Sequence, residues 1–163
     1  MKKINLYSDG SSLGNPGPGG WGTILEYNGK ERELCGGQDN TTNNQMELKG
    51  VIEGLKALKE PCEVHITSDS SYVVKAINEW LVGWVRNNWR NASKKPVKNV
   101  ELWQEYLEAS KQHKVHAQWV KGHAGHEHNE RCDILARTFA ENLKEGKNNE
   151  WLFTIREVFG LSV

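Results

Sequence analysis

The sequence INLYSDG, residues 4–10, alternates apolar and polar side chains up to Asp9, as a half-buried β-strand does. Two more strand-like runs follow at 22–27 and 31–36, and the Asn28-Gly29 pair between them is a strong hairpin signal. The segment 10–20 is rich in glycine and is expected to form a loop. These runs predict that the chain begins with a meander of three antiparallel strands.

Helix-like and strand-like patterns alternate after the meander. Apolar residues recur at helical spacing from Leu48 to Leu58 behind candidate N-caps at 41–44, and Pro61 is expected to stop this helix. The remaining predictions are strands at 63–68 and 115–120, short helices at about 70–78 and 80–87, a helix around 100–107 and a long helix striped from Cys132 to Leu143. This order predicts an α/β fold in which helices pack against a mixed sheet of five strands.

Positive charge is concentrated in one segment of the chain. The 163 residues carry a formal net charge of zero, which at face value argues against a nucleic-acid partner. Residues 80–100, however, contain no acidic side chain, and they hold Arg86, Arg90, Lys94, Lys95, Lys98, Trp80, Trp84 and Trp89. This interleaving indicates either a surface that binds a polyanion or a surface segment whose tryptophans only pack on the body of the protein.

The cysteines and the N-terminal sequence indicate the cellular compartment in which the protein is expected. Cys35, Cys62 and Cys132 are odd in number and show no CxxC spacing, so free thiols in a reducing compartment are the simpler interpretation. The first residues carry charge but no apolar signal-peptide core, and no run approaches the roughly 20 apolar residues of a membrane span. We therefore expect a soluble, cytoplasmic protein with no membrane partner.

Four carboxylates stand where an apolar core would not place them: Asp9, Glu47, Asp69 and Asp133. The aspartates Asp9 and Asp69 end strand-like runs, whereas Glu47 and Asp133 lie near the starts of helical patterns, beside the apolar stripes. Such positions converge on the crevice where α/β sheets place their sites. Four acids there raise one another's pKa unless cations hold them, and oxygen ligands suit Mg²⁺ or Mn²⁺. The sequence thus predicts a metal-dependent site for phosphate chemistry.

Other interpretations of these polar residues stay open. A strand-end aspartate is often only a turn or cap residue. His123, His126, His128 and Cys132 are an alternative zinc site, although their spacing matches no common zinc pattern, and His126 and His128 are most simply solvated loop residues. The glycine-rich loop is not a nucleoside-triphosphate cradle, since no Gly-Lys-Ser/Thr follows it.

Several motifs extend the pattern: YSDGS (7–11), GNPGPGG (14–20), TTNNQMEL (41–48), TSDS (67–70), WVKGHAGH (119–126) and NERCD (129–133). In this order and with these gaps they closely resemble bacterial ribonuclease HI, over about residues 3–143. The resemblance implies an RNase H-like fold, with three antiparallel strands followed by two parallel ones. It also implies an endonuclease that cuts the RNA strand of RNA–DNA hybrids with two Mg²⁺ ions, for which Mn²⁺ can substitute. Cleavage is then expected to be largely independent of sequence and to leave 3′-hydroxyl and 5′-phosphate ends.

The same resemblance implies roles at matching positions. Asp9 is expected to bridge both metal ions, with Glu47, Asp69 and Asp133 completing their shell, and His123 to shuttle protons or help product leave. Sugar contacts near the cut are implied for Ser12, Gly14, Asn15, Asn43 and Ser71, and a pocket for a phosphate of the DNA strand is implied for Thr42 and Asn99. The segment 80–98 corresponds to a basic protrusion, with hybrid contacts through Trp80, Trp84, Arg86, Trp89, Arg90, Lys94, Lys95 and Lys98.

The sequence departs from the family pattern at a few of these positions. Asn87 and Asn88 stand where cations are usual, Gln45 replaces a common arginine, and Ser71 replaces a common glutamine. We expect these changes to weaken hybrid affinity or shift contacts near the cut, and to leave the metal chemistry intact.

The expected organisation is a catalytic domain over residues 1–145, with the basic protrusion at about 80–98, and a C-terminal tail over 146–163. Apolar residues crowd the tail between 151 and 159, so it either covers apolar surface as an extra helix or strand, or docks another protein or subunit. A monomer is expected. Two other functions stay open, namely a non-catalytic module that binds RNA–DNA hybrids and another nuclease or integrase of the same superfamily.

Overall fold

The computed structural model describes residues 1–122, 126–147 and 157–158, which form a six-stranded mixed sheet flanked by helices. The strands are β1 (Lys2–Ser12), β2 (Gly17–Tyr27), β3 (Lys30–Thr41), β4 (Cys62–Ser68), β5 (Lys114–Trp119) and β6 (Glu157–Val158). The helices are α1 (Asn43–Lys56), α2 (Ser71–Lys75), α3 (Leu81–Arg86), α4 (Val100–Ser110) and α5 (Glu127–Lys144), and a π-helical turn, Ala76–Trp80, joins α2 to α3. The predicted α/β fold with five mixed strands is confirmed, and β6 is an addition at one edge.

The strand order is β5-β4-β1-β2-β3-β6, so the first strand of the chain lies inside the sheet. β1, β2 and β3 pair antiparallel, while β4 and β5 continue the sheet on the other side of β1 as parallel strands. The predicted hairpin is confirmed, because Tyr27 pairs with Lys30 across Asn28 and Gly29. These two turn residues have φ values of 50° and 79°, which a tight hairpin turn of this kind requires.

The prediction that residues 10–20 form a loop is wrong for most of that segment. Ser12 still pairs with Gly19, so the connection between β1 and β2 is short. The glycines serve close packing instead: a Cβ on Gly20 would lie 2.3 Å from the carbonyl oxygen of Ala136 in α5. The general scarcity of glycine in strands is therefore overridden here by the approach of a helix.

Helix α1 packs on one face of strands β1–β3, and helix α5 packs on the other. Gly54 of α1 meets Leu6, whereas the backbone of Cys132 in α5 meets Gly22, the register partner of Asp9. Because successive residues of a strand point to opposite sides, the even-numbered residues of β1 face α1 and the odd-numbered residues face α5. The central strand is thus covered on both sides by the helices that carry Glu47 and Asp133.

The principal core lies on the α1 side of the sheet, where α4 also packs. Trp103 of α4 is its largest fully buried side chain. A smaller cluster beneath α5 contains Cys35, Leu135 and Phe139. All three cysteines are free, as the sequence predicts, and the structure buries them. Among the described residues, no helix combines the length and apolarity that crossing a bilayer requires.

The C-terminal tail contributes a short strand to the sheet. Glu157 and Val158 pair antiparallel with Arg32 and Glu31 at the open edge of β3. This pairing extends the sheet by one short strand, and the prediction that the tail covers apolar surface stays a prediction. The apolar run at 151–156 lies outside the described residues.

Candidate active site

Asp9 and Asp69 lie at the end of the parallel ladder between β1 and β4. The last parallel pair is Ser8 with Ser68, and each aspartate is the next residue in the chain. β1 itself continues to Ser12 through its pairing with β2, so the prediction that Asp9 ends its strand is correct only on the β4 side. Because neighbouring strands lie about 4.8 Å apart, this placement brings the two carboxylates together.

Glu47 reaches the same point from helix α1. The Thr42 side chain accepts a hydrogen bond from the Gln45 backbone N–H at 3.2 Å, and the Gln45 side chain accepts one from the Thr42 backbone N–H at 3.3 Å. This capping box begins the helix where the sequence predicts. The first turns then pass so close to β1 that a Cβ on Gly10 would lie 2.3 Å from the Glu47 nitrogen. Gly10 therefore permits the approach that sets Glu47 beside Asp9.

Asp133 is presented by α5 from the opposite face of the sheet. A Cβ on Gly22 would lie 2.5 Å from the Cys132 carbonyl oxygen, so this glycine lets the helix lie directly on the strand. Asp133 accepts a hydrogen bond from Arg137 Nε at 2.9 Å, one turn further along α5. It lines the same crevice as Asp9 and Asp69.

Three of the four carboxylates, Asp9, Glu47 and Asp69, place ligand oxygens within 4.8 Å of one another. Asp9 is only 7% exposed, and its burial, together with the charges of Asp69 and Asp133, raises its pKa to about 7. Burial and the charge of Asp9 raise the pKa of Glu47 well above its usual range. Such shifts are characteristic of carboxylates held together without a compensating cation.

The donor set fits a hard divalent cation. All four side chains offer oxygen atoms, which Mg²⁺ and Mn²⁺ prefer as ligands. Within the described residues, the buried Oε2 atom of Glu47 has no hydrogen-bond partner, although buried polar atoms normally have one. A divalent ion between Glu47 and Asp9 would satisfy this oxygen, so the residues present fit the expected metal.

The acidic crevice is also lined by four residues that the sequence alone did not place there: Lys121, His126, Asn129 and Glu130. Asn129 donates a hydrogen bond from Nδ2 to the Thr67 carbonyl at 3.2 Å, and in the described part of the chain its buried Oδ1 has no partner. The available signal was its spacing of four residues from Asp133, which places both on one face of a helix. His126 is exposed, as predicted for a loop residue, but it stands at this crevice.

The expected proton shuttle, His123, lies outside the described residues. The preceding residue is described, and a Cβ on Gly122 would lie 2.8 Å from Asp69 Oδ2, so the chain leads to His123 from beside the acidic cluster. The alternative zinc site gains no support from its other members. His128 stacks on the Tyr7 ring, and Cys132 donates its thiol to the Tyr7 carbonyl oxygen.

A separate cavity of about 320 Å³ lies at the N-terminus of α1. Its lining consists of Asn15, Thr42, Asn43, Asn44, Lys98 and Asn99, of which only Asn44 has no role assigned from the sequence. Asn99 has a left-handed backbone with φ 61°, and its side chain accepts from Gln45 Nε2 at 3.2 Å and donates to the Tyr72 hydroxyl at 3.1 Å. A helix N-terminus with an adjacent lysine makes this cavity suitable for an anion.

Three residues expected near sugars form one hydrogen-bonded group. The Ser12 backbone N–H donates to Asn43 Oδ1 at 2.7 Å, and the Ser12 hydroxyl donates to the Gly14 carbonyl oxygen at 2.6 Å. Of the other two residues expected near sugars, Asn15 lines the cavity at the N-terminus of α1, and Ser71 is the exposed first residue of α2.

The basic segment 80–98 combines partly buried tryptophans with exposed cations. Trp84 packs edge to face on Trp103, with ring centroids 5.9 Å apart, and Trp89 also contacts the core. Trp80 is 39% exposed and lies beside Trp84. All the cations of the segment are exposed, namely Arg86, Arg90, Lys94, Lys95 and Lys98. Trp84 and Trp89 thus anchor the segment to the body, while Trp80 and the cations are accessible to a partner.

The chain is similar to ribonuclease H proteins over most of its length. A family model described as RNase H matches residues 1–141. The ribonuclease H of Sulfurovum sp. (strain NBC37-1) is 64% identical over 143 residues, which cover 88% of this chain and 94% of that protein. LC9-RNase H1, a type 1 RNase H with the type 2 active-site motif, has a TM-score of 0.79 at 33% identity, covering 96% of this chain and 82% of that one. LC11-RNase H1, solved in complex with RNA/DNA hybrid, shares the fold, with a TM-score of 0.66 at 22% identity over 86% of this chain and 99% of that one.

Proposed function

Because this chain belongs to the RNase H family and is an endoribonuclease of the bacterial ribonuclease HI type, we propose that it cuts the RNA strand of RNA–DNA hybrids at the acidic crevice. The proposal includes two divalent ions, Mg²⁺ with Mn²⁺ as a substitute, and products with 3′-hydroxyl and 5′-phosphate ends. The observation that carries it is the convergence of Asp9, Glu47 and Asp69, whose ligand oxygens lie within 4.8 Å of one another.

Asp9 is the residue proposed to contact both ions. Its carboxylate lies within 4.8 Å of ligand oxygens of Glu47 and Asp69, and it lines one crevice with Asp133, so it contacts or neighbours each of the other three. Glu47, Asp69 and Asp133 would complete the two ligand sets. When bound, such ions lower the pKa of an attacking water and stabilise the leaving 3′-oxygen. The chain's own contribution is to hold the four carboxylates in place before substrate arrives.

His123 is proposed to take up and release a proton close to the crevice. Imidazole suits this task because its ordinary pKa lies near neutrality. This proposal is supported by the position of Gly122, the residue before His123 in the chain, where a Cβ would lie 2.8 Å from Asp69 Oδ2.

The cavity at the N-terminus of α1 is proposed to bind a phosphate of the DNA strand through Thr42, Asn99 and Lys98. Ser12, Gly14, Asn15, Asn43 and Ser71 are proposed to contact sugars, where the 2′-hydroxyl distinguishes RNA from DNA. The exposed cations and Trp80, supported by Trp84 and Trp89, would lie along the hybrid backbone. Contacts of this type give register without reading bases, so cleavage should depend little on sequence.

Two of the residues that depart from the family pattern, Gln45 and Asn88, have a structural explanation. Gln45 completes the cap of α1 and bonds Asn99, so it links the metal-site helix to the proposed phosphate cavity. Asn88 has φ 55°, a region that asparagine tolerates better than longer side chains do. We infer that Asn88 is favoured by the turn, and that the turn carries fewer charges as a result.

Cleavage of end-labelled RNA–DNA hybrid, duplex RNA and duplex DNA, side by side with Mg²⁺ or EDTA, tests the proposed function. We expect Mg²⁺-dependent cutting of the RNA strand in the hybrid alone, with Asp9→Asn as the inactive control. The downstream product should accept a kinase label at its 5′ end only after phosphatase treatment. Tight hybrid binding without cutting would support a binding module instead, and equal cutting of duplex DNA would exclude the proposed substrate.

A further inference from the structure

A second group of metal-ligating side chains lies on the open face of strands β4 and β5. His65 and His116 are direct partners in the parallel register of the two strands, and Glu63 precedes His65 by two residues. All three side chains therefore project from the same face. In β4 the alternate residues Cys62, Val64 and Ile66 are buried on the other face, so this group faces away from the principal core.

The geometry of the group resembles a partly formed metal site. The Nε2 atoms of His65 and His116 lie 3.5 Å and 3.4 Å from the same oxygen, Glu63 Oε1. The imidazole rings are stacked, with centroids 4.9 Å apart, and all three ligand atoms lie within 4.8 Å of one another. Ligands of a tetrahedral ion with bonds of about 2.1 Å are separated by about 3.4 Å. The two nitrogen–oxygen distances match that separation.

Hydrogen bonding alone accounts less well for this arrangement. Good N–H···O bonds span about 2.7–3.2 Å, and both contacts to Glu63 Oε1 are longer. In the sheet, Glu63 is flanked by its two register partners, Lys3 on β1 and Lys114 on β5, whose side chains are exposed to solvent. The histidine side chains are 47% and 46% exposed, which leaves room for a water as a further ligand.

A second histidine–carboxylate group in the described part of the chain differs in its surroundings. His128 lies 3.3 Å from Glu26 Oε2 and 3.1 Å from Glu31 Oε1, but Arg131 binds the second oxygen of Glu31 at 2.7 Å. The His128 ring is also stacked on Tyr7. This group is a compensated ion-pair network that ties α5 to the β2–β3 hairpin, and it provides a matched control.

We propose that Glu63, His65 and His116 bind a divalent transition-metal ion of the Zn²⁺ class. Two imidazoles and one carboxylate suit Zn²⁺, Co²⁺, Ni²⁺ or Cu²⁺, whereas the oxygen-only acidic crevice suits Mg²⁺ and Mn²⁺. His65 precedes Asp69 by four residues, or roughly 13 Å of strand, so the two sites are separate. A bound ion would clamp β5 to β4, the strand that leads to Asp69.

Binding is tested by titrating the full-length chain with Zn²⁺, and separately with Co²⁺, in a buffer containing excess Mg²⁺ to occupy the acidic crevice. We expect one Zn²⁺ per chain, and a melting temperature raised by roughly 5 °C when free Zn²⁺ is about 100 times Kd. Co²⁺ should broaden the amide NMR signals of residues 63–67 and 114–118 before those of Asp9, Glu47 and Asp69.

His65→Asn and His116→Asn should each weaken Zn²⁺ binding at least about tenfold, whereas His128→Asn should leave it unchanged. Both target histidines are about half exposed, and the melting temperature of each metal-free variant confirms that it is folded. Repeating the titration with Asp9→Asn separates this site from the acidic crevice, so the result does not depend on the proposed nuclease function. The proposal is wrong if no saturable one-to-one binding occurs, if both variants bind as the parent does, or if broadening is centred on the acidic crevice.

Discussion

Replacing Asp9 by Asn is expected to abolish cleavage and, at the same time, to stabilise the protein when metal is withheld. Cleavage is lost because the neutral amide cannot hold two cations. Stability is gained because Asp9 lies buried beside Glu47 and Asp69, where its charge is repelled. The two effects have opposite signs, so they separate a metal-site residue from one that only supports the fold.

The size and pH dependence of the stability change follow from the raised pKa of Asp9. Folding raises this pKa from 3.8 to about 7, which corresponds to about 4 kcal/mol of unfolding free energy. An acid whose pKa is raised by folding stabilises the folded state at pH values below the pKa that it has in the unfolded chain. This contribution is lost as the pH rises through the pKa of the folded state. The wild type should therefore weaken between about pH 4 and pH 7, whereas Asn at this position does not titrate. At pH 8 the variant should melt roughly 10 °C higher than the metal-free wild type.

Urea denaturation in EDTA at several pH values from 4.5 to about 8 measures this difference directly. The gap between wild type and Asp9→Asn should be small at the acidic end and widen steadily towards pH 8. Excess Mg²⁺ should then raise the stability of the wild type at pH 8 and close much of the gap, because binding to the folded state stabilises it. The exposed Asp39 offers a control, and Asp39→Asn should show neither effect. A gap that stays constant with pH, or that Mg²⁺ leaves unchanged, would refute the account of the acidic crevice given above.

Other variants test the remaining parts of the proposed mechanism. His123→Ala should slow single-turnover cleavage by about 10²-fold or less and leave hybrid affinity intact, as equilibrium binding can check. Replacing Arg86, Lys95 and Lys98 together by Gln should raise KM and flatten its salt dependence by roughly three counterions, with kcat at saturation nearly unchanged. Asn87→Lys should tighten binding and steepen that slope without touching Asn88, whose φ of 55° disfavours a longer side chain. Gly10→Ala should destabilise the fold by about 1–3 kcal/mol and weaken Mg²⁺ binding in calorimetry, since the new Cβ would lie 2.3 Å from the Glu47 nitrogen.

Features that depend on a few consecutive residues were predictable from the sequence. The Asn28-Gly29 turn needs positive φ at both positions, and Thr42 with Gln45 forms a capping box within four residues. The convergence of Asp9 and Asp69 was also predictable, because adjacent parallel strands end at the same edge of a sheet. Such signals are local, or they follow from the order of the elements, so no packing detail is required to see them.

Features that depend on contacts between distant segments were not predictable in this way. Gly10 and Gly20 suggest a loop when only neighbouring residues are considered, yet each lies in a strand and meets the backbone of α1 or α5. The pairing of His65 with His116 depends on the register of two parallel strands. No tight turn sets that register, since parallel strands are joined by long connections. The proposed transition-metal site therefore becomes visible only in three dimensions.

The geometry of the acidic crevice depends on the two glycines that allow helices to pack closely on the sheet, Gly10 and Gly22. Gly10 of β1 lets α1 lie close against one face of the sheet, and Gly22 of β2 lets α5 lie close against the other face. Glu47 and Asp133 therefore approach Asp9 from opposite sides of the sheet. The same closeness buries Asp9 and Glu47 and raises the pKa of both, which weakens the metal-free protein as pH rises. Binding of cations is then favoured by the relief of this repulsion as well as by the ligands themselves. Stability without metal and affinity for metal should therefore change in opposite directions in variants that alter the charge of the crevice and keep both glycines.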